Sequence, residues 1–564
     1  MERVPSQKRR EKMDFYSGRY RKAELFIRKT GEENGEFSLK KNGQQVVTTE
    51  VTSDIFHKVT IELCENTEYQ MDWTNSLISQ MYLCGNEDIE ETGIKHLVVN
   101  NEWPERAEVF DTPWREQFHF TPYVNWSNDP NGLCWFRGKY HLYYQANPHE
   151  QKWDNMYWGH AVSKDLVHWN YLPYALDPQS EILESDNLVG GAFSGSAVVL
   201  PDGLRIFFTR DLEERGKAET IQQSQSTAFS RDGLAFSEEQ TILPAYAVEG
   251  IDMNFRDPKV FRNGENWYML LASNYFGKGS ILLFSSKDMF DWKFIGALLQ
   301  EENPEIPSLE CPDFFPLGDD AWILLASVMG MRTEYGVYQP VMYYIGEWKN
   351  EKFTVNRRES CDFGCNFYAP QTLEHEGRRI MLAWICDWEG EQVTTRHGAY
   401  GGFTLPRELS VREGRLYQRP IEEVYRLQRE LLLWQNGGKA VSVEVPGNSY
   451  YSCIEFCGKT EFEISLFDDG KDYLKIIGNN SMVELISSKN KDPQARFVAE
   501  TEELKKLEIF MDRRTVELYL NDGEKAGTKI FMNPNRNGRI TFRFAEETKV
   551  THISVHRMEA IWTK

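Results

Sequence analysis

The chain has 564 residues and a formal net charge of −22, with 86 acidic against 64 basic side chains. This acidic balance argues against binding to nucleic acids or anionic membranes, and the length allows two to four domains. Nine cysteines scattered along so long a chain argue against a disulfide framework, and the 75 aromatic residues, 16 Trp, 26 Tyr and 33 Phe, suit either β cores or sugar stacking.

Residues 1–105 form the first predicted unit. The basic N-terminus (MERVPSQKRREKMDF) is not followed by an apolar segment, and no later run is long enough to span a bilayer, so we expect a cytoplasmic protein that does not bind membranes. Alternating segments such as AELFIRKT and KVTIELCE predict a small β module. Its role is not apparent from the sequence, so packing or assembly is the default expectation, and a homo-oligomer is left open.

Residues 106–425 contain a repeat. Five apolar segments begin 55 to 65 positions apart, at Tyr140, Arg205, Trp267, Trp322 and Arg379. Asp-containing loops such as SKDLVHW, SRDGLAF and SSKDMFDW follow some of these segments. Short strands and turn signals inside repeats of this length predict a five-bladed β-propeller.

A polar residue in an unusual local sequence lies 10 to 12 positions before each apolar segment. The five residues are Asp129 in NDPNG, Ser194 in FSGS, Asp257 in FRDP, Glu310 in ECPD and Tyr368 in FYAP. If the repeats are blades, these offsets place the five residues on the innermost strands, where three carboxylates converge on the propeller axis. Cleavage of a glycosidic bond needs such carboxylates, because one must stay protonated while another attacks or activates water.

The chain ends in a second predicted β unit. The stretch EEVYRLQRELLL has helical spacing and predicts a linker helix over residues 426–433. Residues 434–564 return to short alternating segments and predict a β-sandwich, in which Asn521, Asp522 and Gly523 mark a hairpin turn. The pairs Cys361/Cys365 and Cys453/Cys457 lack further ligands nearby, so no metal site is expected.

Six motifs occur in a fixed order along the chain: NWSNDPNG, FSGS, NFRDPKVF, LECPDFF, FYAPQT and DRRTVELYLNDG. With them, residues 112–564 resemble family 32 of the glycoside hydrolases, which comprises invertases, levanases, inulinases and sucrose-6-phosphate hydrolases. The resemblance implies an all-β fold with a five-bladed propeller followed by a β-sandwich. It also implies β-fructofuranosyl substrates, retention of anomeric configuration and no cofactor.

The resemblance also implies a role for individual residues. Asp129 matches the nucleophile, Glu310 the general acid/base and Asp257 the transition-state stabiliser. The positions that fall where the family contacts sugar hydroxyls or lines the pocket are Asn128, Gln145, Trp153, Phe193, Ser194, Arg256, Tyr368 and Trp384.

The neighbours of these acids suggest how each is tuned. Leu309, Cys311 and Pro312 give Glu310 an apolar setting that is expected to raise its pKa, as an acid/base requires. Arg256 stands next to Asp257, and its charge is expected to keep that carboxylate ionised. The sequence departs from the usual family pattern at positions that put the leaving-group preference in doubt, Ser127, Phe193, Leu309 and Asn366.

The sequence features bear on four candidate functions. The first is a retaining β-fructofuranosidase that removes terminal fructose from sucrose or short fructo-oligosaccharides, and the second is a fructosyltransferase with the same residues. A non-catalytic fructan-binding or sensing protein is disfavoured by two intact acids, Asp129 and Glu310. An inverting arabinan-type hydrolase is disfavoured because it lacks the NDPNG and ECP pairing. The sequence does not distinguish sucrose, its 6-phosphate, inulin-type or levan-type substrates.

Overall fold

A computed structural model of the chain describes residues 10–318, 321–388, 390–533, 535 and 537–562. In these ranges the chain is almost entirely β-structure, which confirms the predicted fold class. The α-helices found there have four or five residues each, namely α1 (Ile89–Thr92), α2 (Arg106–Phe110), α3 (Ser180–Leu183) and α4 (Glu422–Tyr425). None of the described helices has the length and apolar character that crossing a bilayer requires.

The N-terminal module is a sandwich of two four-stranded antiparallel sheets. Its first sheet has the order β1-β6-β3-β4 and its second the order β5-β2-β7-β8. Alternate residues of these strands, such as Leu25, Leu39 and Met71, are fully buried between the sheets. The strands are β1 (Arg10–Tyr16), β2 (Lys22–Lys29), β3 (Gly35–Lys41), β4 (Gln44–Val51), β5 (His57–Glu62), β6 (Glu68–Thr74), β7 (Ser76–Cys84) and β8 (Lys95–Val99).

The next part of the chain forms five consecutive sheets, the blades of the predicted propeller. Each blade consists of four antiparallel strands in chain order, and a short extra strand, β27, joins the first blade. The first two blades are β9 (Asn125–Phe136), β10 (Lys139–Asn147), β11 (Tyr157–Ser163) and β12 (Trp169–Leu176), followed by β13 (Leu188–Leu200), β14 (Gly203–Glu214), β15 (Gln222–Ser230) and β16 (Ser237–Leu243).

The other three blades repeat this arrangement. The innermost strands of neighbouring blades contact one another, and the innermost strand of the fifth blade contacts that of the first. The strands are β17 (Ile251–Asn263), β18 (Asn266–Tyr275), β19 (Lys278–Ser286) and β20 (Lys293–Gln300), then β21 (Leu309–Pro316), β22 (Trp322–Val328), β23 (Val341–Lys349) and β24 (Lys352–Ser360), then β25 (Tyr368–His375), β26 (Arg378–Trp384), β28 (Arg407–Arg412) and β29 (Arg415–Pro420). Strand β27 (Ala399–Tyr400) lies between β26 and β28 in the chain but belongs to the first blade.

The C-terminal unit is a sandwich of two six-stranded sheets, ordered β30-β41-β32-β37-β38-β39 and β31-β40-β33-β34-β35-β36. Their inner faces enclose a core of Ile, Leu, Val and Phe side chains. The strands are β30 (Gln428–Gln435), β31 (Ala440–Val445), β32 (Ser449–Phe456), β33 (Glu461–Asp468), β34 (Tyr473–Asn479), β35 (Met482–Ser487), β36 (Phe497–Glu500), β37 (Lys506–Asp512), β38 (Thr515–Leu520), β39 (Lys525–Ile530), β40 (Gly538–Phe544) and β41 (Val550–Met558).

The prediction of a linker helix over residues 426–433 is wrong. Only α4 is helical, and the leucine-rich stretch that follows it is strand β30, which pairs with β41. A short apolar run fits a helix and a buried strand equally well by periodicity. Here Leu432 and Leu433 pack against the sandwich core, so tertiary packing decides the conformation.

Buried charges join the propeller to the C-terminal sandwich. The Arg407 guanidinium of the fifth blade donates to the carboxylates of Asp362 and Glu517, and all three side chains are almost fully buried. His119 lies between Asp512 and Glu517, at 2.8 and 3.0 Å from their carboxylate oxygens. Because a buried ion pair leaves an uncompensated charge when one partner is removed, this network ties the two units together.

Candidate active site

A β-bulge interrupts the innermost strand of every blade. The regular pairing with the second strand shifts at one site in each of β13, β21 and β25, and at two sites in each of β9 and β17. The residue in the bulge has a positive φ in three blades, 62° at Asp257 and 48° at both Cys311 and Ala369, and a proline follows each. Bulges bend a strand and redirect its side chains, and they are common beside active sites.

The bulges sort the axial side chains into two contacting groups. In the first group, Asp129 contacts Ser194 and Cys311, and Cys311 contacts Asp257. In the second group, Glu310 contacts both Arg256 and Tyr368. A proline directly follows Asp129, Asp257 and Cys311, so these three residues occupy equivalent positions in their blades. Glu310 lies one residue earlier and is equivalent to Arg256 and Tyr368. The predicted common offset was wrong by one residue for the last two blades.

Asp129 and Asp257 flank the thiol of Cys311. Its Sγ lies 3.5 Å from Oδ2 of each carboxylate, so these two oxygens are no more than twice that distance apart. The Ser194 hydroxyl donates to Asp129 Oδ2 at 2.6 Å, and the Cys311 backbone N–H donates to Asp257 Oδ2 at 2.9 Å. The Asp257 backbone N–H donates in turn to the Thr209 hydroxyl oxygen at 3.1 Å. Both acids are thereby fixed in orientation.

Glu310 is held through both of its carboxylate oxygens. Arg256 donates to Oε1 from Nη2 at 2.8 Å and from Nε at 3.2 Å, and the Tyr368 hydroxyl donates to Oε2 at 2.5 Å. The guanidinium is itself oriented by Asn254 Oδ1 at 2.8 Å and Gln223 Oε1 at 3.3 Å. The Glu310 side chain keeps 19% of its surface exposed, so a ligand can reach it from the funnel, which is the solvent-facing space beside Asp129, Asp257 and Glu310.

The electrostatics of the site differ from the sequence expectation. Burial raises the pKa of Asp257 to about 7 and outweighs the opposing effect of Arg256, whose hydrogen bonds go to Glu310 instead. The expectation that Arg256 keeps Asp257 ionised was therefore wrong. Burial also raises the pKa of Asp129; the Ser194 hydrogen bond opposes this rise and the charge of Glu310 adds to it. Several carboxyls close together in a buried site resist simultaneous ionisation.

The predicted sugar contacts lie around these acids in different ways. The Asn128 amide oxygen accepts from the Trp126 indole N–H at 2.8 Å. Gln145 is buried in β10 and donates to the Ala192 carbonyl at 2.8 Å, one residue before Phe193. Trp153 is 42% exposed, and its ring meets the Phe193 ring edge-on at 6.0 Å.

Aromatic side chains form one wall beside Tyr368. Trp388 meets the Tyr368 ring at 5.1 Å and the Trp384 ring at 5.5 Å, and Trp384 lies 6.0 Å from Trp126. Tyr400 of β27 stacks on Trp126 at 4.8 Å. The indole nitrogens of Trp384 and Trp388 are buried and have no hydrogen-bond partner among the residues that the structure describes. Two unpartnered donors beside the acids suit a ligand that carries hydroxyl groups.

Sequence reasoning missed part of this site. In the sequence prediction Cys311 is only an apolar neighbour of Glu310, although the repeated X-Pro pairs place it level with Asp129. The prediction omits Trp126 and Trp388, although the first lies within the NWSNDPNG motif and the second lies four residues beyond Trp384.

The arrangement is suited to general acid/base and nucleophilic chemistry at one carbon atom. Asp129 is a rigidly held carboxylate, and Glu310 is a second carboxyl with access to the funnel. Across the described ranges, no group of three His, Cys, Asp or Glu residues is placed to hold a metal ion.

Comparisons with known proteins agree on one family. The description "Glycosyl hydrolases family 32 N-terminal domain" matches residues 119–420, and "Glycosyl hydrolases family 32 C terminal" matches residues 468–559. A sucrose-6-phosphate hydrolase of Escherichia coli is 33% identical over 444 residues, which cover 74% of this chain and 89% of that protein.

Solved structures are similar as well. The structure of a glycoside hydrolase family 32 protein from Bifidobacterium adolescentis superposes with a TM-score of 0.92 at 28% identity, over 98% of this chain and 100% of that chain. A family 32 β-fructofuranosidase from Bombyx mori superposes with a TM-score of 0.71 at 26% identity, over 81% of this chain and 96% of that chain. The first similarity includes the N-terminal module, because it spans almost the whole chain.

Proposed function

Because the chain belongs to glycosyl hydrolase family 32, we propose that its axial site cleaves the bond to a terminal β-fructofuranosyl residue by a retaining mechanism with Asp129 as nucleophile. The enzyme is a β-fructofuranosidase that hydrolyses sucrose or fructans. The observation that carries the mechanism is the contact of Asp129 and Asp257 with one thiol, that of Cys311, beside a clamped Glu310. Acids brought together from three blades have little structural reason to be buried side by side.

The first step forms a covalent fructosyl-enzyme. An oxygen of Asp129 forms a bond to the anomeric carbon C2 while the bond from C2 to the glycosidic oxygen breaks. Glu310 gives its proton to the departing oxygen, so the leaving sugar departs as an alcohol. The Ser194 hydroxyl at 2.6 Å keeps the Asp129 carboxylate in one orientation, which lowers the entropic cost of reaching the reactive geometry.

The second step releases fructose. Glu310 takes a proton from a water molecule, whose oxygen forms a bond to C2 as the bond from C2 to Asp129 breaks. Arg256 and Tyr368 hold Glu310 in one place for both proton transfers. Asp257 lies beside the nucleophile, where it can bind ring hydroxyls more tightly as positive charge develops on the sugar.

A substrate panel tests this proposal. Sucrose, sucrose 6-phosphate, inulobiose, levanbiose and the polymers are incubated with the parent enzyme, with Asp129→Ala and with Glu310→Gln. We expect fructose release by the parent and none by Asp129→Ala, while Asp202→Ala, which removes a carboxylate from a surface turn, leaves turnover unchanged. Turnover by Asp129→Ala near the parent rate would refute its assigned role.

The same panel separates the alternative functions. In a fructosyltransferase a sugar, not water, resolves the covalent intermediate, so chromatography at high sucrose concentration shows longer oligosaccharides in place of free fructose. A binding protein retains sucrose in calorimetry without any product. NMR spectroscopy of the first product formed distinguishes retention, which gives β-fructofuranose, from inversion.

A further inference from the structure

Two loops form the rim of the candidate site. The first rim loop is residues 148–154 and carries Trp153, and the second rim loop is residues 391–398 and leads into β27. They are joined directly, since the Gln151 side-chain amide donates to the Thr395 carbonyl at 2.6 Å and accepts from the Thr395 backbone N–H at 3.2 Å. A displacement of one loop therefore affects the other.

Both rim loops adjoin an innermost strand of the propeller: the first adjoins β13, and the second leads into the strand that pairs with β9. The Trp153 ring meets Phe193, which precedes the Ser194 that binds Asp129. Strand β27, immediately after the second rim loop, pairs in parallel with the start of β9, and its Tyr400 stacks on Trp126. The position of the rim is thus linked to the walls of the funnel.

The N-terminal module contacts the first rim loop through several side chains. The Phe56 ring stacks on the ring of His149 with a centroid distance of 4.4 Å and an interplanar angle of 7°. The Ser79 hydroxyl lies 3.0 Å from His149 Nδ1, and the Gln80 amide donates to the Pro148 carbonyl at 2.9 Å. Burial lowers the pKa of His149 to about 3, so the ring stays neutral and stacks without a charge.

The N-terminal segment also contacts the second rim loop. Glu102 follows strand β8 by three residues, and its carboxylate accepts from the Arg396 guanidinium. The same carboxylate oxygen lies 3.0 Å from His397 Nε2. Residues up to Glu102 therefore brace the rim at two separate places, one on each loop.

We propose that the N-terminal module is a specificity element of the enzyme, which positions the two rim loops to receive the sugar on the leaving-group side of the substrate. The inference rests on the proposed function. The acids at the axis act on the fructosyl unit, so the rest of the substrate must extend outward to the rim, where the exposed Trp153 offers a face for a sugar ring. Preorganised rim loops lower the entropy that ordering them on binding would cost.

The test compares substrates that share the fructosyl unit and differ only in the leaving group. Sucrose and 1-kestose carry a sugar there, and methyl β-D-fructofuranoside does not. In Phe56→Ala combined with Glu102→Gln, we expect KM for sucrose and 1-kestose to rise about threefold to tenfold, with kcat retained and with all constants for the methyl fructoside within about twofold of the parent. Glu102→Gln alone, at a partly exposed side chain, gives a milder change in the same direction.

Two further variants exclude a merely structural effect. Leu39→Ala lies in the module core, away from the rim, and should lower the unfolding temperature without changing the ratio of kcat/KM between sucrose and the methyl fructoside. Trp153→Ala should lower that ratio. The double variant Trp153→Ala/Phe56→Ala should have nearly the same ratio as Trp153→Ala, because both substitutions act on the same loop.

The outcomes separate the two proposals. An unchanged ratio in Phe56→Ala/Glu102→Gln would overturn the inference about the module while the parent still cleaves every substrate. An equal loss on all three substrates would also overturn it, since the module then supports only the fold. If the parent cleaves neither sucrose nor the methyl fructoside, the proposed function itself fails.

Discussion

Replacing Asp257 by asparagine should make the protein more stable while abolishing its activity. Asp257 is 6% exposed, and its Oδ2 accepts the Cys311 backbone N–H at 2.9 Å. The amide oxygen of asparagine can accept that same hydrogen bond, so the substitution removes the charge and leaves the contact in place. If removing the charge of a buried carboxylate makes the protein more stable, that charge serves function and does not serve folding.

The magnitude and sign follow from the pKa of Asp257. Burial raises it from 3.8 to about 7, so over that range the native chain holds a proton that the unfolded chain has released. The contribution of Asp257 to the free energy of unfolding therefore falls as pH rises from about 4 to about 7 and does not change further above about 7. The rise is about 3 pKa units, so at about 1.4 kcal/mol per unit the ionised carboxylate destabilises the native state by on the order of 4 kcal/mol.

Urea unfolding followed by tryptophan fluorescence measures this effect. We expect Asp257→Asn to unfold at higher urea than the parent near pH 8, and the difference to vanish near pH 4. Asp165→Asn is the control of opposite sign. Burial alone would raise the pKa of Asp165, but hydrogen bonds from the side chain and backbone of His168 lower it to about 2, so its removal should destabilise the protein at neutral pH. Equal midpoints of parent and Asp257→Asn at both pH values would refute the reasoning.

Three further predictions concern the acid/base and the domain contact. Tyr368→Phe removes the hydroxyl bound to Glu310 and should lower kcat/KM for sucrose about tenfold to hundredfold, with a shifted pH–rate profile from initial rates. Glu310→Gln should lower kcat on sucrose about 10² to 10⁴-fold but spare the burst of aryl alcohol from an aryl fructoside, whose leaving group needs no proton. Burial alone would lower the pKa of His119, but Asp512 and Glu517 raise it to about 9. Its stabilising contribution is therefore complete below about pH 6.5 and lost as pH rises through about 9, so His119→Gln should lower the urea midpoint near pH 6 and much less near pH 10.

Each of these predictions has a contradicting result. A pH–rate profile of Tyr368→Phe that overlays the parent profile would separate the hydroxyl from proton transfer. Equal losses of Glu310→Gln on sucrose and on the aryl fructoside burst would remove its role as acid. A deficit of His119→Gln that is the same near pH 6 and near pH 10 would show that its charge does not stabilise the domain contact.

The sequence predicted those features that depend on repetition and on turn chemistry. Apolar segments at a regular interval predicted five blades, and the Asn521-Asp522-Gly523 turn does connect β38 to β39, with positive φ at all three residues. These signals are local, because the conformation at each of these positions is determined by residues close to it in the sequence.

Features that depend on tertiary contacts escaped prediction. The leucines of β30 fit a helix by spacing, and only the edge of the sandwich makes them a strand. The pKa of Asp257 could not be derived from the adjacent Arg256, because the bulge directs that guanidinium to Glu310. The repeated X-Pro pairs align Cys311 with Asp129 and Asp257, but the position of its thiol between the two carboxylates depends on the bulge and is not indicated by ECPD.

The most direct test of the account is to locate the covalent intermediate. Glu310→Gln is mixed with an aryl fructoside, since the activated leaving group permits the first step while the lost base slows the second, and the protein is then denatured and digested for mass spectrometry. The account predicts one added fructosyl unit on the peptide that contains Asp129. A fructosyl unit on any other residue, or an unmodified protein that still releases a burst of the aryl alcohol, would contradict it.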